Sequence, residues 1–375
     1  MNIIIQIYMI MCVILLVFDI GFLLTKNINK MKFFKKNNKF EKLVKKEIKK
    51  REVDGEFSMG FLIKLPKELS KTQNLVTLQN ILNENQEAKV WFKSVIFSLV
   101  DVYKQKSDYD QAFYIYVVST LGYNEPVPAD FASQFFGFLD SKSLYTFSNT
   151  MDALYAFSEE GLLVSAVDKV NEREGFYHKK LFVDGLLTSN VDKESFIKKL
   201  VERFDTYNVH TKEALLDYFR MTNVDVSEFC IKFLNHKLSE NEIIYACMRY
   251  FVKKSNAASK EYALNVLETE TVDWVKQMLA IQILKAYNDE EVVSVIKTKI
   301  TDRNWYVRIN ALEYLVANGL DNDDIKEIIE LNDKYAMETL LYLFKNDEEK
   351  SALISKVLEK TEKTVEEGVT VWIFH

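Results

Sequence analysis

The residues able to do chemistry are few and scattered along these 375 positions. Four histidines, His178, His210, His236 and His375, lie too far apart for a sequence-local metal site, and no glycine-rich stretch is built to cradle a phosphate. Three cysteines, Cys12, Cys230 and Cys247, make neither a disulfide framework nor a zinc spacing, which fits a reducing compartment. The acids Glu159-Glu160, Asp289-Glu290-Glu291 and Asp321-Asp323-Asp324 fall at expected helix starts, where negative charge complements the helix dipole. With no catalytic constellation in view, the reading is that the chain is not an enzyme and takes no cofactor or metal.

Helices are what any such residues would be mounted on, and the chain specifies them by repetition. An apolar pair returns as Ala153-Leu154, Leu181-Phe182, Ala214-Leu215, Ala246-Cys247, Leu279-Ala280, Ala311-Leu312 and Leu340-Leu341, at spacings of 28 to 33 residues. A further apolar position follows four or five residues on, at Phe157, Leu186, Phe219, Phe251, Leu284, Leu315 and Phe344, marking one face of a helix. Between the pairs runs a second series, Val167, Leu200, Cys230, Ala263, Ile296 and Ile328, spaced 30 to 33 apart. Each repeat thus reads as two antiparallel helices that bury their apolar stripes only against neighbours. With 10 Gly, 3 Pro and almost no hairpin turn signal, the expected fold is all-α, an α-solenoid of stacked antiparallel helical hairpins.

The unit from Val292 to Gly319 is the clearest. Val293, Ile296 and Ile300 line its first helix, residues 302–304 make the turn, Asp302 or Asn304 caps the second helix, and Gly319 ends it in a left-handed conformation. Residues 302–315, with Asp302, Val307-Arg308, Ala311-Leu312 and Leu315, resemble the turn and second helix of the HEAT repeat family. The resemblance implies that Asp302 sits in the turn and that Arg308 hydrogen-bonds across to a neighbouring turn. The preceding unit keeps Asp273, Val275, Lys276, Leu279 and Ala280, although Lys lacks the planar fork of Arg. The period near 32 is similar to that of compact bacterial HEAT-like repeats, and the resemblance covers residues 140–345. A tetratricopeptide array, with a period of about 34, competes, but its Trp-Leu-Gly-Tyr run and closing proline are missing. Because HEAT-like arrays include DNA glycosylases, a repeat enzyme of that kind is the alternative function.

Ahead of the repeats, residues 3–24 form an apolar run of 22 residues interrupted by Gln6 and Asp19. At about 1.5 Å per residue it extends roughly 33 Å, the thickness of a bilayer core. Its Ile, Leu, Val and Phe side chains each contribute about −0.3 to −0.6 kcal/mol to insertion, together outweighing a cost of at most about 3 kcal/mol for Asp19. From Lys26 to Arg51 twelve Lys or Arg stand against two Glu, so the expected topology is single-pass, N-terminus out, with the body in the cytoplasm. Asp19 either reaches toward the headgroups or pairs with a partner's transmembrane helix, which makes it a candidate partner contact. Phe40, Leu43, Val44 and Ile48 form a stripe among lysines, read either as a helix lying apolar side down in the inner leaflet or as a solvated linker.

The organisation expected is therefore an anchor at 1–25, a basic juxtamembrane segment at 26–52, degenerate helical repeats or a cap at 53–139, and HEAT-like repeats at 140–375. Residues 1–51 carry twelve basic and three acidic groups, leaving 37 basic against 52 acidic in the rest. Such an acidic body disfavours nucleic acid and with it the glycosylase alternative. Among Trp91, Trp274, Trp305 and Trp372, Trp305 precedes the Val-Arg pair and is a candidate partner contact, with core or edge packing as the competing reading. The apolar residues 368–375 either cap the final repeat or offer a docking peptide, and a cap is expected because solenoid ends must be covered. The function expected is a membrane-anchored cytoplasmic scaffold or adaptor for a membrane-associated protein. Its more specific form is an accessory subunit of an inner-membrane complex such as a glycosyltransferase or secretion apparatus.

Overall fold

The computed structural model describes residues 18, 38–122, 127–173, 178–236, 240–269, 273–331 and 333–356. Asp19 and the rest of the apolar run apart from residue 18, residues 26–37 of the basic segment, and residues 357–375 lie outside the described residues. Among the described residues every regular element is a helix, none is a strand, and no helix is long and apolar enough to cross a membrane. The chain divides into two compact units, Met1–Gly175 with Thr188–Asp192, and Phe176–Leu187 with Lys193–His375. This division falls inside the stretch from residue 140 that the periodicity reads as one array.

The first unit holds α1 (38–54), α2 (Met59–Leu69), α3 (Thr72–Glu84), α4 (Gln86–Phe97), α5 (Val100–Lys104), α6 (Asp108–Ser119), α7 (Ala129–Phe136), α8 (Leu144–Phe157) and α9 (Glu160–Glu172). Aromatic side chains make its centre. Tyr103 and Tyr114 stack with centroids 4.6 Å apart, and each buried hydroxyl donates to a backbone carbonyl, Leu69 O at 2.9 Å and Ile96 O at 3.0 Å. Without those acceptors, burying the two phenols would cost about 1–3 kcal/mol each.

Here the structure corrects the sequence reading of the basic stripe. Phe40, Val44 and Ile48 are buried in the protein, leaving only Leu43 of the four exposed. Glu47 accepts from the Ser58 amide at 2.9 Å and its hydroxyl at 2.8 Å, and the Arg51 guanidinium lies 4.8 Å from the Phe57 ring and 5.0 Å from the Trp91 ring. The helix α1 is thus neither a free linker nor an apolar face offered to lipid. Its stripe belongs to the core, where each such side chain contributes about 1.5–3 kcal/mol by burial.

The second unit runs through α10 (Lys179–Thr188), α11 (Lys193–Arg203), α12 (Val209–Met221), α13 (Ser227–Leu234), α14 (Asn241–Lys253), α15 (Ala257–Thr269), α16 (Trp274–Leu284), α17 (Glu290–Lys297), α18 (Trp305–Ala317), α19 (Asn322–Glu330), α20 (Lys334–Leu343) and α21 (348–356). Its packing is regular. The helices α12, α14, α16, α18 and α20 touch in succession, α13, α15 and α17 do the same, and each of α13, α15, α17 and α19 packs on the helix that follows it. The recurring apolar positions explain this order, since Ala214-Leu215, Ala246-Cys247, Leu279-Ala280 and Ala311-Leu312 are all buried. Small residues in those pairs let neighbouring helices approach closely. The pair at 181–182 is out of phase: Leu181, in the first turn of α10, is 55% exposed, and Phe182-Val183 are buried instead.

The acid clusters stand at helix starts, as their spacing predicts. Asp289 accepts from the Val292 amide at the start of α17, and Asp321 forms a capping box with Asp324 at the start of α19. They also tie one hairpin to the next. Lys260 of α15 lies 3.0 Å from Asp289, and Lys297 of α17 lies 3.0 Å from Asp324 and 3.1 Å from Glu327. Hydrogen bonds from these lysines hold the Asp289 and Asp324 carboxyls below the usual carboxylate range.

Candidate functional site

The turn before α18 is built from its own side chains. Asp302 accepts from the Asn304 amide at 2.7 Å, and Asn304 caps α18 by accepting from the Tyr306 amide at 2.8 Å. Arg308, only 6% exposed, reaches back and donates through one guanidinium nitrogen to Asp302 O at 2.6 Å and Arg303 O at 3.0 Å. The expected bond across to a neighbouring turn is therefore replaced by a clamp on its own turn. One helical turn lies between the cap and Arg308, which is the distance that a long side chain folding toward the N-terminus covers. Its Nε is buried without a hydrogen-bond partner, and its guanidinium carbon sits 5.2 Å from the ring of Tyr335 on α20. Val307, Ala311, Leu312 and Leu315 are buried, so these motif residues shape the core rather than a surface. Gly319 has φ +92°, the left-handed end expected after α18.

What the clamp places at the surface is a row of aromatic rings. Trp305 and Tyr306 directly follow the cap and are 47% and 51% exposed. Tyr306 stacks on Trp274 at the start of α16, with centroids 5.2 Å apart and planes 21° apart, and Trp305 meets Tyr306 edge-on at 5.2 Å. Tyr335, second residue of α20 and 61% exposed, is an aromatic at a third helix start, and its ring meets the Arg308 guanidinium. On the other side, Tyr245 of α14 donates to the Asp273 carboxylate at 2.8 Å, while Asp273 accepts from the Val275 and Lys276 amides and caps α16.

Trp305 is thus half-exposed at the start of α18, with its ring packed edge-on against Tyr306. Tyr306, Trp274 and Tyr335 joining it was missed by sequence reasoning, although a signal existed. Each of the three second helices opens with a capping residue followed at once, or after one residue, by an aromatic: Asp273-Trp274, Asn304-Trp305-Tyr306 and Asp333-Lys334-Tyr335. Trp91 is different, being packed beside Phe57 in the first unit, while Trp372 and Asp19 lie outside the described residues.

The remaining chemistry-bearing residues are placed as follows. Cys230 and Cys247 are both buried, and a hydrogen bond to Cys247 together with burial pushes the Cys230 thiol up, away from the reactive thiolate. His178 accepts from the Lys180 amide at 3.2 Å, and no group of three or more His, Cys, Asp or Glu is arranged to hold a metal among the described residues. In the first unit a groove of about 820 Å³ runs past Lys89, Val90, Phe97, Asp101 and Phe131, and among the described residues no histidine or cysteine lines it. Its Lys89 ammonium is already engaged with Thr120 O at 2.8 Å. The exposed rings of Trp274, Trp305, Tyr306 and Tyr335 present flat apolar faces with polar tips at the surface. Compared with known proteins, the chain matches no family model and no curated protein sequence.

Proposed function

We propose that the chain is a membrane-anchored scaffold whose second unit is a HEAT-like solenoid that docks a protein partner on its aromatic edge. The carrying observation is the set Trp274, Tyr306, Trp305 and Tyr335 at the starts of α16, α18 and α20, each residue 39% exposed or more. Isolated exposed aromatics are ordinary, but the contiguous cluster of Trp274, Tyr306 and Trp305, with Tyr335 exposed at the start of the next second helix, has the composition of an interface centre. The ladder of helix contacts and the buried positions of the motif support the solenoid, and the 22-residue apolar run with the basic residues after it supports the anchor. The cytoplasmic side for the body follows from the same charge rule.

Anchoring confines such a scaffold and its partner to one surface, which raises their effective concentration without any further contact. An accessory subunit of an inner-membrane complex, such as a glycosyltransferase or secretion apparatus, is the specific form of this reading. Replacing Trp274 and Tyr306 together by Ala tests it. At hot-spot values of about 2 kcal/mol each, loss of the pair weakens partner capture roughly a thousandfold, with the solubilised protein still folded. Undiminished recovery of the same partner by the folded variant contradicts the docking edge.

A further inference from the structure

The outer face of α2 carries a second apolar stripe that is exposed among the described residues. Its inner face is conventional, with Phe61, Leu65 and Leu69 buried. Its outer face presents Met59, Leu62, Ile63 and Pro66 at positions i, i+3, i+4 and i+7, with Met59 71% and Ile63 73% exposed. A surface helix of a globular domain needs one such stripe. Pro66 inside α2 also leaves the Leu62 carbonyl without its usual amide donor, so that group needs a polar neighbour such as water or a headgroup. Lys64 and Lys67 flank the stripe, both exposed.

We propose that this face of α2 rests on an anionic lipid leaflet. Three observations point to lipid. Residues 38–67 carry nine basic against five acidic groups, and the basic side chains Lys39, Lys42, Lys46, Lys49 and Lys50 of α1 are exposed. The exposed acids Glu52, Asp54 and Glu56 gather in and beside the turn ahead of α2, which leaves Ile63, Lys64, Pro66 and Lys67 as the seat. The apolar run ends at Leu24, and the 13 residues before α1, at no more than about 3.5 Å each, hold that helix within roughly 45 Å of the bilayer. Finally, Phe40, Val44 and Ile48 of α1 are committed to the core, which leaves Leu43 and Val53 as its exposed apolar side chains, whereas Met59, Leu62 and Ile63 of α2 form a contiguous exposed stripe. Apolar side chains beside lysines are the composition of a helix that lies in the headgroup layer. The proposal rests on the anchored topology and adds to it a fixed orientation of the first unit against the leaflet.

The test uses the full chain in nanodiscs, with Cys12→Ser and Ile63→Cys labelled by an environment-sensitive fluorophore. A second sample carries the label at Tyr342→Cys. In discs rich in phosphatidylglycerol the label at 63 shifts to the blue and is quenched by spin-labelled lipid, whereas the label at 342 is not. Lys64→Glu with Lys67→Glu weakens this contact, each lysine being worth about fivefold in leaflet affinity. Emission at 63 that matches the aqueous label at 342 overturns the docking while carbonate-resistant insertion of the same sample upholds the anchor. Extraction of the chain by carbonate overturns both.

Discussion

Replacing Arg308 by Ala removes the clamp on the turn before α18. Its two hydrogen bonds go to Asp302 O and Arg303 O from a side chain that is 6% exposed. Hydrogen bonds to a charged donor contribute about 1.5–3 kcal/mol in buried settings, and the lower end applies because the turn itself is partly open to water. The contact with the Tyr335 ring adds about 0.5–1 kcal/mol, being on an exposed ring. Against this, deletion also removes a buried Nε that has no partner, a relief of about 1 kcal/mol. The net loss for two bonds and one ring contact is about 2–3 kcal/mol, which lowers the melting temperature of a unit this size by roughly 5–10 °C. Thermal unfolding of the detergent-solubilised chain, followed by far-ultraviolet circular dichroism, reads this directly. Arg308→Lys recovers only part of the loss, because an ammonium is a point donor. A variant Arg308→Ala that melts with the parent refutes the clamp.

Four further outcomes follow from particular side chains. Ala311→Asp places an unpaired carboxylate at a fully buried position and costs about 4 kcal/mol or more; a parental melting curve means that Ala311 faces solvent. Tyr218→Phe removes a buried hydroxyl with no hydrogen-bond partner, so the variant gains about 1 kcal/mol, and a loss of that size shows that the hydroxyl is bonded. Gly319→Ala puts a side chain into open space at φ +92°, so its cost of about 1–2 kcal/mol is conformational, and an unchanged midpoint contradicts the left-handed end of α18. Glu47, held low chiefly by the Ser58 amide, and Asp324, held low by Lys297, contribute stability that is present above the unfolded carboxylate range of about 4 and lost as pH falls through their lower folded values. Melting temperature should therefore hold steady from neutral pH to about 5 and fall below it; a rise on acidification reverses the sign of the argument.

Periodicity made the helices legible because each repeat buries the same face. Val167, Leu200, Cys230, Ala263, Ile296 and Ile328 are all buried, although no single one could be placed from its local sequence. Where the reading slipped, the cause was information carried by tertiary contacts. The stripe on α1 looks the same whether its cover is lipid or protein, and only the packing of Phe40, Val44 and Ile48 decides between them. Likewise, the spacing of Arg308 from Asp302 fits a bond within one turn or across to the next, and the hydrogen-bond geometry selects the first. The aromatic edge was half legible: Trp305 stood out by type, but the stacking of Tyr306 on Trp274 joins residues 32 positions apart.

The docking of a protein on the aromatic edge is tested most directly by site-specific photo-crosslinking in intact membranes. A benzophenone amino acid replaces Tyr306 in one version of the full chain and exposed Glu330, at the end of α19, in another. The account predicts a discrete covalent adduct from position 306 in the membrane fraction, lost when Trp274 and Trp305 are replaced by Ala, and none from position 330. Equal labelling from both positions, or an adduct from 330 alone, contradicts it.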